Sequence, residues 1–290
     1  MSYYKVLGFE KEPFSTSPDP DFFYSSRGHE AALTNILIEL QLKRGLSIIL
    51  GNVGTGKTTL SRKLIQELRN RSECVFHMIL DPSFEDHVSF LSSISRNLGI
   101  SLPDQNGSLS IAILREALER FLFQKGVVEH KTVVLIVDEA QKLNQMSLES
   151  LRVLLNYETN QFKLLQLVLL GQLELQVKLR DIPNFLDRIS FKGMIEPLDF
   201  EETKELIFFR MKQAGYQERM ELFLEDALKT IYEYTGGYPR QVTLLCHRAL
   251  KELLLKNKYV VDTSMIEHII EEDIRTGWHR TNTLLQKSSY

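Results

Sequence analysis

Apolar positions along this chain keep two rhythms, and the change between them comes once. Up to about residue 196, short unbroken apolar runs alternate with stretches of helical spacing. The runs at 47–50, 74–80, 132–137, 164–170 and 189–195 read as strands. Continuous apolar runs rich in Val, Ile and Leu fit strands buried on both faces of a parallel sheet. Between them, Leu33, Ile36, Leu37 and Leu40 recur at helical spacing within 28–44, as do Leu60, Leu64, Ile65 and Leu68 after the first strand. The pattern predicts further helices over 88–98 and 109–124, with a turn at 103–108 rich in loop formers, and one starting near Gln141.

Beyond Glu196-Pro197 the runs stop, and the pattern predicts four helices at about 200–214, 222–235, 240–256 and 264–275. Asp199-Phe-Glu-Glu202 opens the first as a capping box. Gly236-Gly-Tyr-Pro-Arg240 separates the second from the third: glycines end a helix, and Pro239 suits the first turn of the next. Residues 1–27 follow neither rhythm. They hold Tyr3, Tyr4, Phe9, Phe14, Phe22, Phe23 and Tyr24 among Pro13, Pro18 and Pro20, a density of proline that opposes a regular element. This segment reads as an aromatic strap laid on the domain. Packing explains most of the aromatics, and walling an adenine pocket is the functional alternative. The predicted organisation is therefore a strap (1–27), an α/β domain (28–196), a small helical domain (197–275) and a polar tail (276–290). The tail carries Arg280 and Lys287 and no acid, and reads as frayed or as an interaction tail.

The chain has 290 residues and a net charge of −3, so no overall basic signature points to nucleic acid, although a local patch remains open. Cys74 and Cys246 make no metal pattern and read as small buried hydrophobes in a reduced, cytoplasmic setting. No signal peptide is apparent, and no apolar stretch approaches the ~20 residues that span a bilayer.

The chemistry concentrates at two strand ends. Gly51-Asn52-Val53-Gly54-Thr55-Gly56-Lys57-Thr58-Thr59 contains the run G-x-x-x-x-G-K-T between a strand and a helix. In that context glycines let backbone N–H groups turn inward around phosphate oxygens, and the helix N-terminus adds its positive end. Lys57 can reach the β- and γ-phosphates, and the Thr58 hydroxyl can ligate Mg²⁺. A glycine turn with an incidental lysine is the bland alternative. The second strand end is Asp138-Glu139. Downstream of a P-loop, Asp138 can hold Mg²⁺ and Glu139 can orient and deprotonate a water. Taken alone, the pair would read as a helix cap.

Four weaker candidates follow. Gln172, at the tip of the 164–170 strand, either contacts the γ-phosphate or water, or is a solvated strand end. Arg180 and Arg188 precede the last strand as surface charges or as an arginine finger. Arg240 projects from a helix N-terminus, where a structural arginine gains little from the dipole, which favours an anionic ligand.

Taken together, these stretches resemble the AAA+ ATPases, and within them the protein A (ExeA) type ATPase of general secretion and the related ATPases of transposition. The resemblance runs from about Tyr4 to Arg275. It rests on 9–24, 51–59, 137–141, 170–175, Arg188-Ile189 and 236–240. It implies a P-loop parallel sheet in the order 5-1-4-3-2 with a helical lid, ATP and Mg²⁺ as cofactors, Gln172 as sensor 1, Arg240 as sensor 2 and Arg188 in the finger region. It also implies a homo-oligomer, ring or filament, that acts on duplex DNA or on a protein partner. Two departures stand out. The secretion ATPases continue into a membrane span and a peptidoglycan-binding domain, whereas this sequence stops at Tyr290; and Leu173 stands where that family often has proline. The expectation is a stand-alone ATPase module. GTP is not expected, since Asn257-Lys258 continues as Tyr-Val and makes no guanine-reading motif. The alternative from another class is a monomeric P-loop transferase or small-molecule kinase.

Overall fold

A computed structural model describes residues 2–17, 19–102, 109–217 and 221–277. The turn expected at 103–108 and the tail beyond 277 lie outside the described residues. The chain divides into two compact units, one formed by 18–196 and the other by 1–17 together with 197–290.

The first unit is a five-stranded parallel sheet. Its strands are β1 (Leu46–Gly51), β2 (Cys74–Ile79), β3 (Thr132–Val137), β4 (Leu165–Gly171) and β5 (Ile189–Ile195). They lie in the order β2-β3-β4-β1-β5, the arrangement the AAA+ resemblance implies. Helices α1 (Arg27–Gln41), α2 (Lys57–Arg69), α3 (His87–Asn97), α4 (Ile111–Phe123), α5 (Gln145–Leu154) and α6 (Leu173–Arg180) cover it. Successive side chains of a strand point to opposite faces, so each apolar run feeds two cores. Val133, Leu135, Val137, Leu167 and Leu169 pack with residues of α3, α4 and α5. Val134, Ile136, Val168 and Leu170 pack with Ile36 and Leu40 of α1 and Leu60 and Leu64 of α2. A sheet covered on both faces presents its useful surface at the strand ends. In an open parallel sheet that means the carboxyl ends, where the chain leaves each strand.

Three local features differ from the sequence reading. The segment before α1 does contain regular turns: one helical turn at Tyr3–Val6 and a 3-10 turn at Pro20–Phe22, where Pro20 sits at the first position and Asp19 accepts a bond from the Asp21 N–H. The helix expected near Gln141 begins later. Ala140–Lys142 is a separate 3-10 turn, and α5 is capped by Asn144, whose side chain accepts from the Ser147 N–H. Asp138-Glu139 therefore does not cap α5. Finally, α6 starts directly at the tip of β4; it is short, and its Leu173, Leu175, Val177 and Leu179 alternate with polar residues instead of recurring at helical spacing.

The second unit is helical, with α7 (Phe200–Gln213), α8 (Glu225–Thr235), α9 (Pro239–Leu255) and α10 (Thr263–Arg275). Asp199 and Glu202 form the expected capping box on α7. A single parallel bridge, Phe223 with Val261, is its one extended pairing among the described residues. Gly237 has φ +73, and a Cβ there would stand 1.9 Å from the Leu198 carbonyl oxygen, so the turn into α9 requires glycine. Residues 2–17 are stitched into this unit. The Arg210 guanidinium donates to the carbonyls of Pro13 (2.8 Å) and Ser15 (2.6 Å), and the Glu10 N–H donates to the Ala214 carbonyl (2.8 Å). Phe9 stacks on Tyr216, and Phe14 meets Phe223 edge-on. These aromatics are core residues of the helical unit. No described helix is long and apolar enough to cross a membrane.

Candidate functional site

The P-loop, the acidic turn and Gln172 come together because of strand order. β4 lies between β1 and β3, with Leu50 opposite Gly171 and Val137 opposite Leu169. The three strands end at one level, so the loop after β1 and the turn after β3 flank the tip of β4.

The P-loop turns through two left-handed residues, Gly54 (φ +87) and Gly56 (φ +99). Gly51 is constrained by space instead: a Cβ would stand 2.7 Å from the Ile195 carbonyl oxygen and 2.8 Å from Thr55 Oγ1. Thr55 is fully buried, and its hydroxyl donates to the Asn52 carbonyl (2.9 Å). Asn52 and Val53 are exposed at the loop's crest, whereas Thr58 and Thr59 are half-buried in the first turn of α2. Lys57 is buried and donates its Nζ hydrogens to the carbonyls of Gly51 (2.7 Å) and Asn52 (2.8 Å). Burial pushes its ammonium below the usual lysine value, against the pull of Glu139, Asp138 and Glu174.

Asp138 is almost fully buried at the end of β3. Burial raises its carboxyl above the usual carboxylate range, opposed by bonds from the Thr58 hydroxyl and from the Glu139 N–H, the latter 2.9 Å long. A buried carboxylate beside a hydroxyl is the oxygen donor set that a hard divalent cation takes in concert with phosphate oxygens. These residues fit Mg²⁺. No group of three His, Cys, Asp or Glu able to hold a metal alone occurs among the described residues, so a protein-only metal cage is not what this site offers.

Glu139 sits at φ +50, a left-handed conformation uncommon for a residue with a side chain. Its carboxylate Oε2 accepts from Gln141 Nε2 (2.5 Å) and from Gln172 Nε2 (3.4 Å), while Gln141 Oε1 accepts the Gln172 N–H (3.0 Å). The Lys178 ammonium of α6 closes the far side of this turn by donating to the carbonyls of Gln141 and Leu143. Gln172 is thus tied to the acidic turn by two bonds rather than left as a solvated strand end.

Neither arginine has a hydrogen bond to this cluster among those described. Arg188, in the turn before β5, donates to the Asn184 carbonyl and to Asn156 Oδ1 (2.7 Å). Arg240 is the exposed second residue of α9, in the helical unit. Sequence reasoning passed over His29, Gln141 and Lys178. Gln141 follows an acidic pair that absorbs attention, Lys178 lies on a helix that was not foreseen, and His29 is a lone histidine. Its one signal is Ser26 three residues earlier, the N-cap of α1.

A parallel sheet with a P-loop, an acid pair two strands over and a helical unit behind it in sequence is the arrangement of the AAA+ ATPases. Residues 41–179 match the family described as AAA domain, and in sequence and fold the chain is similar to the AAA+ ATPases. It is similar to general secretion pathway protein A of Aeromonas hydrophila, with 36% identity over 250 residues that cover 86% of this chain. The chain spans 44% of the length of that relative. Among solved structures it superposes on Cdc6p from Pyrobaculum aerophilum with a TM-score of 0.66, 19% identity, and coverage of 86% of this chain and 67% of the other. It also superposes on Drosophila ORC bound to DNA, with a TM-score of 0.64, 18% identity, and coverage of 91% and 66%. At these identities the two structures speak for the fold.

Proposed function

We propose that this chain is a Mg²⁺-dependent ATPase that works as an oligomeric, ATP-driven switch on a macromolecular partner. The observation that carries the reading is the Glu139 carboxylate, held by two carboxamides at the strand tips next to the P-loop. Backbone N–H groups of 51–58 and the Lys57 ammonium bind the phosphates. Thr58 and Asp138 hold Mg²⁺, which when bound offsets charge on the β- and γ-phosphate oxygens. Glu139 orients a water and takes its proton as the water oxygen attacks the γ-phosphorus and the bond to the ADP oxygen breaks. Gln172, on Glu139 and at the strand tip, acts as sensor 1. Arg240 acts as sensor 2, and Arg188 of one subunit serves the site of the next. The finger role requires Arg188 to leave Asn184 and Asn156, its present partners.

Two partner classes have separate support. Likeness to general secretion pathway protein A favours a protein partner in secretion or pilus assembly. Likeness in fold to an ORC structure bound to DNA favours duplex DNA, as in transposition regulators. Light scattering decides, with ADP and then with ATP on the Glu139→Gln variant, each with and without duplex DNA. Assembly that needs both ATP and DNA supports the DNA partner; assembly with ATP alone supports a protein partner. A monomer in every state that transfers phosphate to a metabolite sinks the switch in favour of a small-molecule kinase.

A further inference from the structure

His29 is the best-connected side chain at this site that no role above uses. It lies in the first turn of α1 and is 2% exposed. Its Nδ1 is 2.7 Å from Ser26 Oγ, and its Nε2 is 2.9 Å from the Thr55 carbonyl oxygen. A carbonyl only accepts, so Nε2 carries a hydrogen and donates. Ser26 also caps α1 by accepting the His29 N–H (3.4 Å), and Phe23 meets the imidazole edge-on with centroids 5.1 Å apart. The ring is therefore fixed on three sides and aimed at the P-loop backbone. The loop is shaped around it in turn: a Cβ on Gly56 would stand 2.7 Å from His29 Nε2.

The Thr55–Gly56 peptide is planar, and no cis bond occurs among the described residues. In a trans peptide the C=O and the following N–H point in opposite directions. Holding the Thr55 oxygen on His29 thus turns the Gly56 N–H away from His29, toward the opposite side of the loop. In a free glycine-rich loop this peptide can flip, because the two glycines flanking Thr55 permit either sense. We propose that His29 is a positioning residue for phosphate binding: its Nε2–H anchors the Thr55 carbonyl and so presets the Gly56 N–H toward the nucleotide's phosphates. This deepens the ATPase reading and rests on it. His29 touches no substrate atom. It acts through one peptide group, and its contribution is equal for bound substrate and transition state.

That last point makes the proposal testable apart from mere structural support. Glutamine carries an amide N–H₂ about where Nε2 stands and can still reach Thr55; asparagine ends near Nδ1 and can reach only Ser26. The experiment compares His29→Gln with His29→Asn, reading the Kd of ATP and of ADP by titration calorimetry, KM and kcat for ATP hydrolysis, and melting without nucleotide. The expected result is that His29→Asn weakens ATP and ADP alike by about tenfold and raises KM, with kcat at saturation unchanged, while His29→Gln stays close to wild type. Equal affinities for the two variants overturn the proposal, whether both match wild type or both fall together, because the donor to Thr55 then makes no difference. A loss in kcat at unchanged KM also overturns it. Wild-type protein that binds no ATP would instead remove the ATPase reading itself, so the two failures are distinct.

Discussion

The P-loop and the acidic turn both bend the chain sharply at the end of a buried parallel strand, and they do so by opposite means. In the P-loop the left-handed positions are glycines, Gly54 and Gly56. At Gly56 the neighbouring space is already taken by His29. The loop's chemistry lies in its backbone, and a side chain there would obstruct it. In the acidic turn the left-handed position is Glu139, a residue whose side chain is the point of the turn. The unusual backbone is maintained from outside, by Gln141 and Gln172 on the carboxylate and by Lys178 on the carbonyls that follow. Where the backbone binds, side chains are cleared away; where a side chain reacts, strain is accepted and braced.

Four substitutions can break or sharpen this contrast. The largest effect is expected from Glu139→Gln, which keeps size and removes the base: turnover falls about 10²–10⁴-fold while ATP still binds, as single-turnover hydrolysis and equilibrium titration will show. Unchanged turnover would move the base elsewhere and leave the strained turn without a chemical reason. Next, Lys57→Ala should cut ATP affinity by about 10- to 100-fold, since a charged donor is lost; fluorescence titration with an ATP analogue reads this. Gly56→Ala tests clearance directly. Alanine must hold φ +99 and displace His29, so unfolding in urea should show a loss of about 1–3 kcal/mol. An alanine variant as stable as wild type would mean that the loop tolerates a Cβ, and the contrast would collapse.

The smallest effect concerns Asp138. Burial raises its folded pKa, so the folded protein favours the protonated acid, and the ionised form costs stability at neutral pH. Any stability from this shift is fully present below the unfolded carboxyl pKa and is lost as pH rises through the raised folded value. Asp138→Asn should therefore raise the melting temperature of the nucleotide-free protein at pH 7. The gain should vanish as pH falls into the ordinary aspartate range. A melting difference that stays constant with pH would contradict it.

Much of the nucleotide-binding unit was legible because its signals are local. Unbroken apolar runs such as 132–137 reveal strands buried on both faces, and the spacing of Gly51, Gly56 and Lys57 marks the loop between a strand and a helix. The sheet order was not local, and came with the family resemblance. What stayed hidden was support rather than chemistry. Gln141, Lys178 and His29 act on backbone or on a neighbouring side chain, at distances in sequence that no periodicity encodes. The aromatic segment gave up its existence but not its seat: Phe9 and Phe14 announce burial, yet nothing in 1–17 says that their partners are Tyr216 and Phe223.

That seat has a consequence for how the molecule is made. The Arg210 guanidinium clasps carbonyls at Pro13 and Ser15, so the helical unit is assembled from a stretch that leaves the ribosome before the sheet unit and from stretches that leave after it. All of 18–196 is synthesised between them. The sheet unit can complete its core while translation continues, whereas Phe9 and Phe14 must wait, uncovered, for Tyr216 and Phe223 to emerge. Domains that form during synthesis do so as units, and apolar surface held open in the meantime is the exposure on which chaperones act. The order of folding is thus written into which residues grip 2–17: the sheet unit is complete first, and the helical unit closes after it.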